Sequence, residues 1–303
     1  MKTYTKDQEN FLIEFYPRNG LNFCSEKLFI PQILLKRKIQ KMGIKLTKEK
    51  RGEIIRLNKP IKPMSEYSVE PSQFYSANTP EIAYTLGLLW ADGYVLHKSK
   101  NGKLRNRVSI ANQIEDFEIF IKILNKTGRW NVTYRKLKNR KTQGNAEISN
   151  RPLVEFLIAN DYISKSTSSA CKILSTIPDH LKHYWFRGLF DGDGCIYFNP
   201  SGLHIKISIA SSYDQDWKYI ENLFNTVLCD GHFFIKKSVR KNGNKYSKIE
   251  VTKRSTILKF LDYIYTDYST DRIGLPRKYE KYLKVIEREK HCASKKTKRL
   301  APC

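Results

Sequence analysis

The segments TLGLLWADG at Thr85–Gly93 and FRGLFDGDG at Phe186–Gly194 are two versions of one apolar stretch that ends in aspartate and glycine. Small residues lie four positions apart in each version, at Gly87 and Ala91 in the first and at Gly188 and Gly192 in the second. Small residues at this spacing allow two helices to approach closely. We therefore predict that the two segments form helices that pack directly against each other.

Each predicted helix carries an aspartate near its C-terminal end, Asp92 in the first and Asp193 in the second. That end of a helix already has partial negative charge, and two neighbouring carboxylates repel each other. A bound divalent cation would offset both effects, so the sequence predicts a metal site where the two helices end. Gly93 and Gly194 follow the aspartates, and we expect both to end their helices in the left-handed conformation.

The charge of the chain indicates its class of partner. The 303 residues include 55 Lys+Arg and 30 Asp+Glu, which gives a formal net charge of +25. Such an excess predicts a polyanionic partner, for which nucleic acid is the leading candidate. An anionic membrane surface is the alternative. The basic residues are spread along the whole chain and no segment approaches the ~18 consecutive apolar residues of a spanning helix, so we expect no membrane partner.

The cysteines and histidines give no signal for a metal module. The six cysteines form no C-x-x-C pair, and no secretory signal precedes them, so neither a zinc module nor a disulfide framework is predicted. His180 and His183 lack further ligands nearby and are interpreted as ordinary surface or core residues. We expect an intracellular, reducing location, either a bacterial or phage-infected cytoplasm or an organelle matrix.

The order of predicted elements after residue 81 occurs twice. Each copy begins with an apolar helix, continues through two strands, a helix and two more strands, and closes with a helix. Asp92 and Asp193 lie 101 residues apart (193 − 92), which sets the repeat length. The sequence thus predicts an α+β fold of two αββαββα halves, at residues 81–181 and 182–285.

Basic residues concentrate on the second pair of strands in each half. They are Arg135, Lys136, Lys138 and Arg140 in the first half, and Lys236, Lys237, Arg240, Lys245 and Lys248 in the second. Every second side chain of a strand lies on the same face, and a two-stranded ribbon fits the major groove of DNA. The alternative is a basic sheet edge that limits aggregation. Because the basic residues recur in both halves, we favour DNA binding.

Residues 1–46 predict a small unit of three helices. Thr5 caps the first helix, a break follows at 17–20, and the third helix begins near Pro31 and ends before Gly43. The unit resembles a helix-turn-helix domain of the Myb/SANT-like kind, which implies that the third helix enters a major groove. A basic cap without groove contact is the alternative. The residues predicted to contact DNA are Lys36, Arg37, Lys38 and Lys41.

Two further segments flank the repeated region. Residues 47–80 contain several prolines and predict a basic linker that extends along a phosphate backbone. Residues 286–303 predict a basic C-terminal tail.

The paired motifs, the repeated element order and the basic strands together resemble a single-chain LAGLIDADG homing endonuclease over about residues 81–285. The resemblance implies a pseudo-twofold molecule in which two antiparallel sheets form DNA-binding saddles and the two motif helices form the seam between them. It also implies that Asp92 and Asp193 hold Mg²⁺, with the backbone carbonyls of Ala91 and Gly192 as further ligands. Mn²⁺ is expected to substitute, and Ca²⁺ to bind without supporting cleavage.

The same resemblance implies roles for residues outside the motifs. A lysine beyond the closing helix of each half adjusts the active-site solvent network in such enzymes. Lys165 matches in the first half, and Lys278, in preference to Arg277, in the second. Asn112 and Ser211, at the ends of the second strands, are expected to hold active-site water.

Both motifs depart from the family pattern, and in the first one Thr85 and Leu86 replace the leading Leu-Ala. Trp90 replaces the first acidic residue of the first motif, a change expected to affect packing more than chemistry. Arg187 replaces an alanine in the second motif, and we expect it to point into solvent or toward phosphate.

The leading functional hypothesis is a monomeric, metal-dependent homing endonuclease that makes a double-strand break in DNA at a long recognition site, as in intron homing. One alternative is a maturase that binds group I intron RNA, and another is a non-catalytic DNA-binding regulator on the same fold. The presence of both Asp92 and Asp193 argues against the regulator, because a protein that only binds gains nothing from two carboxylates facing phosphate. A protein with both nuclease and maturase activity stays open.

Overall fold

The computed structural model describes residues 4–51, 74, 77–97, 106–136, 141–199, 204–240 and 243–300, with the backbone alone described at 291–300. The chain divides into two compact units, Met1–Met64 and Ser65–Cys303. Most of the predicted linker 47–80 and the end of the predicted tail 286–303 lie outside the described residues. Lys138 and Arg140 lie outside them as well.

The first unit contains helix α1 (Lys6–Leu28) and helix α2 (Gln32–Lys41), and residues 48–51 are helical too. Thr5 forms a capping box, in which its hydroxyl accepts from Gln8 N and its own N–H donates to the Gln8 side chain. Helical geometry is interrupted at Gly20, where φ is 83°, so the break predicted at 17–20 occurs inside the run assigned to α1. A small apolar core that includes Leu12, Leu35 and Ile39 holds the helices together. The helix-turn-helix role of this unit stays a prediction.

The second unit repeats one order of elements. Its first half contains α3 (Pro80–Asp92), β1 (Gly93–Leu96), β2 (Arg107–Gln113), α4 (Ile114–Leu124), β3 (Asn131–Arg135), β4 (Gln143–Ile148) and α5 (Arg151–Ala159). Helix α6 (Cys171–Thr176) and a 3₁₀ turn (Asp179–Leu181) lead to the second half. That half contains α7 (Lys182–Asp193), β5 (Gly194–Phe198), β6 (Ile205–Ser211), α8 (Lys218–Asn222) with a π-helical turn (Leu223–Val227), β7 (Phe234–Val239), β8 (Lys245–Val251) and α9 (Arg254–Ile264). Helices α10 (Tyr268–Asp271) and α11 (Pro276–Leu300) follow. No helix among the described residues combines the length and the apolarity needed to cross a membrane.

The strands form two four-stranded antiparallel sheets, in the orders β1-β2-β4-β3 and β5-β6-β8-β7. This confirms the predicted mixture of helices and antiparallel sheets. The registers also correspond, because Gly93 lies opposite Ile110 in the first sheet and Gly194 lies opposite Ile209 in the second. The inner strands β4 and β6 alternate between the core and an open face, whereas the outer strands β3 and β7 are mostly exposed. In β6, for example, Ile207 and Ile209 are buried while Lys206 on the other face is half-buried.

The apolar face of each sheet packs into one core that surrounds α3 and α7, the two helices formed by the motif segments. Trp90 is buried there, with its ring edge-on to Tyr162 at 5.1 Å and further contacts to the rings of Trp185 and Tyr219. This agrees with the expectation that the tryptophan in the first motif affects packing.

The expected conformation of Gly93 and Gly194 is wrong. Both residues are extended, with φ of −74° and −87°, because each is already the first residue of a strand. Glycine is required at both positions because a side chain would not fit there. A Cβ at Gly93 would lie 2.4 Å from the carbonyl oxygen of Leu89, and a Cβ at Gly194 would lie 2.4 Å from that of Phe190. The tight passage from helix to strand therefore places Asp92 and Asp193 directly at the ends of their helices.

The expected orientation of Arg187 is also wrong, because its side chain is fully buried on α7. Its guanidinium donates to the carbonyl oxygens of Ile264 and Ile273 and pairs with Asp271, whose Oδ1 lies 3.3 Å from Nη1. It also lies 4.6 Å from the ring centroid of Tyr184. A buried charge is tolerated when it is paired and hydrogen-bonded. Arg187 thus ties α7 to the end of α9 and to the segment that follows it.

Candidate active site

The two motif helices meet backbone to backbone. A Cβ added at Gly87 on α3 would lie 1.9 Å from the carbonyl oxygen of Trp185, and one at Gly188 on α7 would lie 2.1 Å from that of Tyr84. A Cβ at Gly192 would lie 2.4 Å from the Cβ of Ala91. The small residues are therefore the contact points of the helix pair, which confirms the prediction drawn from their spacing. We call this contact between α3 and α7 the seam.

The seam brings the two aspartates to one cleft. Asp92 and Asp193 both line a cavity of about 550 Å³, together with Lys165, Ser211 and Gln215. The carboxylate of Asp92 lies against the end of the other helix, because a Cβ at Gly192 would be 3.1 Å from its Oδ2. That same oxygen accepts a hydrogen bond of 3.0 Å from Asn112 Nδ2. Asn112 therefore fixes the orientation of one of the two carboxylates.

The surroundings of the aspartates disfavour their charged forms. Burial raises the pKa of Asp92, and the positive charges of Lys165 and Lys278 oppose the rise. Burial and the negative charge of Asp92 raise the pKa of Asp193 to about 7, again against the two lysines. Two partly dehydrated carboxylates that repel each other form a site that gains from a bound cation.

The two predicted lysines occupy equivalent positions at the helix ends. Lys165 Nζ donates to the carbonyl oxygens of Trp90 and Gly93, both at 2.8 Å, and lies 3.2 Å and 3.1 Å from those of Leu89 and Ala91. Lys278 Nζ donates to the carbonyl oxygens of Phe190, of Asp191 at 2.8 Å and of Gly194 at 2.7 Å.

Each of these lysines therefore binds the last carbonyls of its motif helix. The carbonyls of Leu89 and Phe190 also accept from the N–H groups of Gly93 and Gly194. Burial lowers the pKa of both Lys165 and Lys278 to about 8, and the neighbouring aspartates oppose that fall. Lys278, rather than Arg277, thus makes contacts equivalent to those of Lys165, and the active-site role of both lysines stays a prediction.

The positions predicted to hold water differ between the halves. Asn112 binds Asp92 directly. Ser211 occupies the equivalent place at the end of β6, but its hydroxyl accepts from Tyr213 N at 3.3 Å. Asp92 and Asp193 thus have different neighbours although their strands correspond in register.

An ion pair that sequence reasoning missed lies beside Asp92. Arg277 donates through Nε and Nη2 to both oxygens of Asp116, with Nε 2.7 Å from Oδ1, and both residues line a second cavity with Asp92 and Asn112. The two residues are 161 positions apart and belong to different halves. One feature of the sequence weakly indicated a structural role for Asp116. It lies in the first turn of α4, where an acidic residue interacts favourably with the helix dipole.

Asp191, the first acidic residue of the second motif, accepts hydrogen bonds inside the seam. Its Oδ2 accepts from the Tyr84 hydroxyl at 2.7 Å and from Leu275 N at 2.8 Å. The side chain is almost fully buried, and burial raises its pKa. Asp191 therefore links α7 to α3 and to the segment before α11, which is a different task from that of Asp193.

The residues predicted to bind DNA are mostly exposed where the structure describes them. Lys36, Arg37 and Lys41 are exposed on α2, whereas Lys38 pairs with Glu9 in the first unit. In the second unit, Lys248 is half-buried, and the exposed members are Arg135, Lys136, Lys236, Lys237, Arg240 and Lys245. Lys237 pairs with Asp214 at 2.8 Å.

The donor set at the helix ends fits a hard divalent cation. Asp92 and Asp193 offer carboxylate oxygens, which Mg²⁺ and Mn²⁺ prefer, in a cleft that raises the pKa of both. The predicted carbonyl ligand of Ala91 also accepts from Lys165, which leaves one of its two lone pairs. Among the described residues, no group of three or more His, Cys, Asp or Glu side chains is arranged to hold a metal. A metal here would depend on the two aspartates.

No family model matches this chain, and no curated protein matches it. Solved structures of LAGLIDADG homing endonucleases are similar to it. The endonuclease I-WcaI bound to its DNA recognition sequence shares 14% identity over 74% of this chain and 94% of that chain, with a TM-score of 0.46. I-GzeII in complex with its DNA target shares 14% identity over 72% of this chain and 92% of that chain, with a TM-score of 0.44. Full-length DUF199/WhiA from Thermatoga maritima shares 16% identity over 73% and 67% of the two chains, with a TM-score of 0.39. The roles of individual residues rest on the contacts of this chain.

Proposed function

We propose that this protein is a site-specific DNA endonuclease that makes a metal-dependent double-strand break. One observation carries the proposal. Asp92 and Asp193 line a single cleft at the ends of two helices that meet backbone to backbone. Two carboxylates at the end of the seam destabilise the structure, since they repel each other and the partial negative charge of the helix ends. Their presence is explained if the site binds cations beside a phosphodiester.

The two sheets supply a surface for DNA. Each has one face packed on the core and one open face, and basic residues such as Arg135 and Lys236 are exposed on the outer strands β3 and β7. With a net charge of +25, the chain gains free energy from the release of counterions when it covers phosphates. Antiparallel strands in the major groove would let side chains contact base edges, which is the basis for recognising a long site.

The residues of the cleft have separable tasks in this proposal. Asp92 and Asp193 would hold Mg²⁺, which supplies Lewis-acid stabilisation of the phosphate and lowers the pKa of a water nucleophile. Asn112 donates to Oδ2 of Asp92 and so holds that carboxylate in one orientation. Lys165 and Lys278 fix the ends of both helices through their carbonyls. Their positive charges also favour the ionised form of the two aspartates.

The test begins with a binding selection from a randomised duplex library, followed by incubation of a plasmid carrying the selected site with Mg²⁺, Mn²⁺, Ca²⁺ or EDTA. We expect linear product in Mg²⁺ and Mn²⁺ and binding without cleavage in Ca²⁺. The double variant Asp92→Asn/Asp193→Asn is the matched control, because it keeps the shape of both side chains. Linear product from this control would assign the cleavage to a contaminant.

The same experiment separates the alternatives. Tight binding of the selected DNA without a cut in any metal would contradict the nuclease and leave a regulator. A maturase would show preferential binding of group I intron RNA and support splicing that survives both asparagine substitutions. Cleavage together with such splicing would identify a protein with two activities.

A further inference from the structure

The open face of the second sheet contains a carboxylate surrounded by three lysines. Oε1 of Glu250 on β8 accepts from Lys248 of the same strand at 2.8 Å and from Lys206 of β6 at 3.0 Å, and Oε2 accepts from Lys236 of β7. The Glu250 side chain is only 3% exposed, whereas the side chains of Lys206, Lys236 and Lys248 are 38%, 59% and 27% exposed. We call these four residues the lysine cluster.

The carboxylate of Glu250 offsets the repulsion between neighbouring lysines. Lys236 lies directly opposite Lys248 in the β7–β8 ladder, and like charges at that position destabilise a sheet. Burial alone would raise the pKa of Glu250, but the hydrogen bonds from Lys236, Lys248 and Lys206 lower it to about 2. The carboxylate is therefore charged at neutral pH. With three lysines and one glutamate the cluster keeps a net charge of +2, and its ammonium groups converge on one point.

The first sheet has a carboxylate at the equivalent register with different donors. Glu147 lies opposite Ser109 in the first sheet, as Glu250 lies opposite Ser208 in the second. Glu147 accepts from Arg107 Nη1 at 3.1 Å and from Asn145 Nδ2 at 3.0 Å. The two halves thus keep the same carboxylate but present different groups, an arginine and an amide in one and three ammonium groups in the other.

Fixed ammonium groups recognise a restricted set of base edges. An ammonium only donates hydrogen bonds, whereas an asparagine amide both donates and accepts. In the major groove, guanine offers two adjacent acceptors, O6 and N7, while adenine and cytosine offer an amino donor that an ammonium cannot accept from. A lysine whose ammonium is held by Glu250 has also lost much of its rotamer freedom before binding, so its remaining N–H groups favour an acceptor at one place.

We propose that Glu250 is a specificity-determining residue, which fixes Lys206, Lys236 and Lys248 as a donor set that selects adjacent guanines in the half of the DNA site bound by the second sheet. The inference rests on the proposed function only in requiring that the sheets bind DNA; it does not require cleavage. Glu250 does not contact the base itself, since three lysines already occupy its oxygens.

The substitution Glu250→Gln separates specificity from affinity. It removes one negative charge, so the affinity for arbitrary DNA is expected to stay the same or rise. It also weakens the hold on the lysines, so the preference for guanine is expected to fall by about tenfold, the size of one well-placed base contact. A sheet that had simply lost its structure would lose both properties together.

The experiment is binding selection and sequencing with the full chain in Ca²⁺, which keeps cleavage from interfering. Wild type is compared with Glu250→Gln and with Lys236→Gln, whose exposed side chain makes misfolding unexpected even if the buried substitution disturbs the sheet. The controls are Glu147→Gln, which alters the equivalent carboxylate of the other sheet, and Glu155→Gln, an exposed glutamate on helix α5.

We expect a run of guanines in one half-site of the wild type, its loss in Glu250→Gln and Lys236→Gln, and its retention in both controls. Unchanged guanine preference in folded Glu250→Gln and Lys236→Gln would overturn the inference and leave the proposed function intact. A wild-type site with no guanine preference, or a folded Glu250→Gln protein with reduced affinity for all DNA, would overturn it as well. Absence of DNA binding by the wild type would instead count against the proposed function.

Discussion

Substitution of Gly188 by alanine is expected to destabilise the second unit because of where the added carbon must go. A Cβ at this position would lie 2.1 Å from the carbonyl oxygen of Tyr84 and 2.9 Å from Leu88 N, whereas ordinary contact begins at 3.4 Å. Relief therefore requires a shift of 1.3 Å (3.4 − 2.1) between two helices at the centre of the core. Both neighbours are backbone atoms, so no side-chain rotation removes the clash.

The expected size follows from two opposing contributions. Excess volume in a packed core costs about 1–3 kcal/mol, and a clash with backbone belongs at the upper end of that range. Alanine in place of a helical glycine recovers about 1 kcal/mol of helix propensity. We therefore expect Gly188→Ala to lower the free energy of unfolding by about 2 kcal/mol, with a similar loss for Gly87→Ala.

The assay is urea unfolding followed by tryptophan fluorescence. All four tryptophans lie in the second unit, and Trp90 and Trp185 lie in the motif helices, so the signal reports on this unit alone. Wild-type stability of Gly188→Ala would refute the close packing of α3 on α7.

A compensating pair provides the matched control. Gly192→Ala places a Cβ 2.4 Å from the Cβ of Ala91, and Ala91→Gly removes that atom from the opposite helix. The double variant Gly192→Ala/Ala91→Gly should be more stable than the sum of the two single effects predicts. If the stability effects of the two single substitutions simply add in the double variant, residues 91 and 192 are not in contact.

Three further predictions concern the helix ends and the first unit. Lys278→Met removes one donor that the carbonyls of Phe190, Asp191 and Gly194 share, so we expect urea unfolding to show a loss of about 1–3 kcal/mol; an unchanged midpoint would contradict the capping role. The pKa of Asp193 rises from 3.8 to about 7 on folding, so the folded state holds this proton more tightly and stability falls as pH rises through that window. Without metal, thermal scans should therefore show a larger drop between about pH 4 and about pH 7 for wild type than for Asp193→Asn, and Mg²⁺ should restore stability at the higher pH in wild type alone. Deletion of residues 1–46 should weaken DNA binding and flatten its dependence on salt in gel-shift titrations, while cleavage persists at high protein concentration; an unchanged salt slope would show that this unit covers no phosphates.

The sequence predicted those features that depend on residue spacing within one segment or on the internal repeat. The spacing of Gly87, Ala91, Gly188 and Gly192 led to the seam, and the repeated order of elements led to the two αββαββα halves, whereas the two antiparallel sheets were implied by the family resemblance. Lys165 and Lys278 came from the family resemblance, which gave their place but not their contacts. Their bonds to the carbonyls at the ends of α3 and α7 depend on how the chain returns after α5 and before α11.

The features that the sequence did not reveal depend on partners far away in the chain. Arg187 carries a charge typical of a surface residue although its helix is apolar. Its burial is favourable because of distant partners, which include the carbonyls of Ile264 and Ile273 and the carboxylate of Asp271. The pair of Asp116 and Arg277 joins two halves across 161 positions. The hydrophobic pattern shows which side chains share a face of the sheet, but it does not fix which residues pair across the strands. That pairing decides which lysines contact Glu250.

The most direct test of the central claim is the cleavage rate of the single variants Asp92→Asn and Asp193→Asn on the selected DNA in Mg²⁺, measured with their binding affinity in Ca²⁺. If the two aspartates at the end of the seam form the catalytic site, each variant binds DNA within about threefold of wild type, since the substitution removes no basic residue that covers phosphate, and yields no linear product. Double-strand cleavage by either variant at the wild-type rate would contradict the assignment.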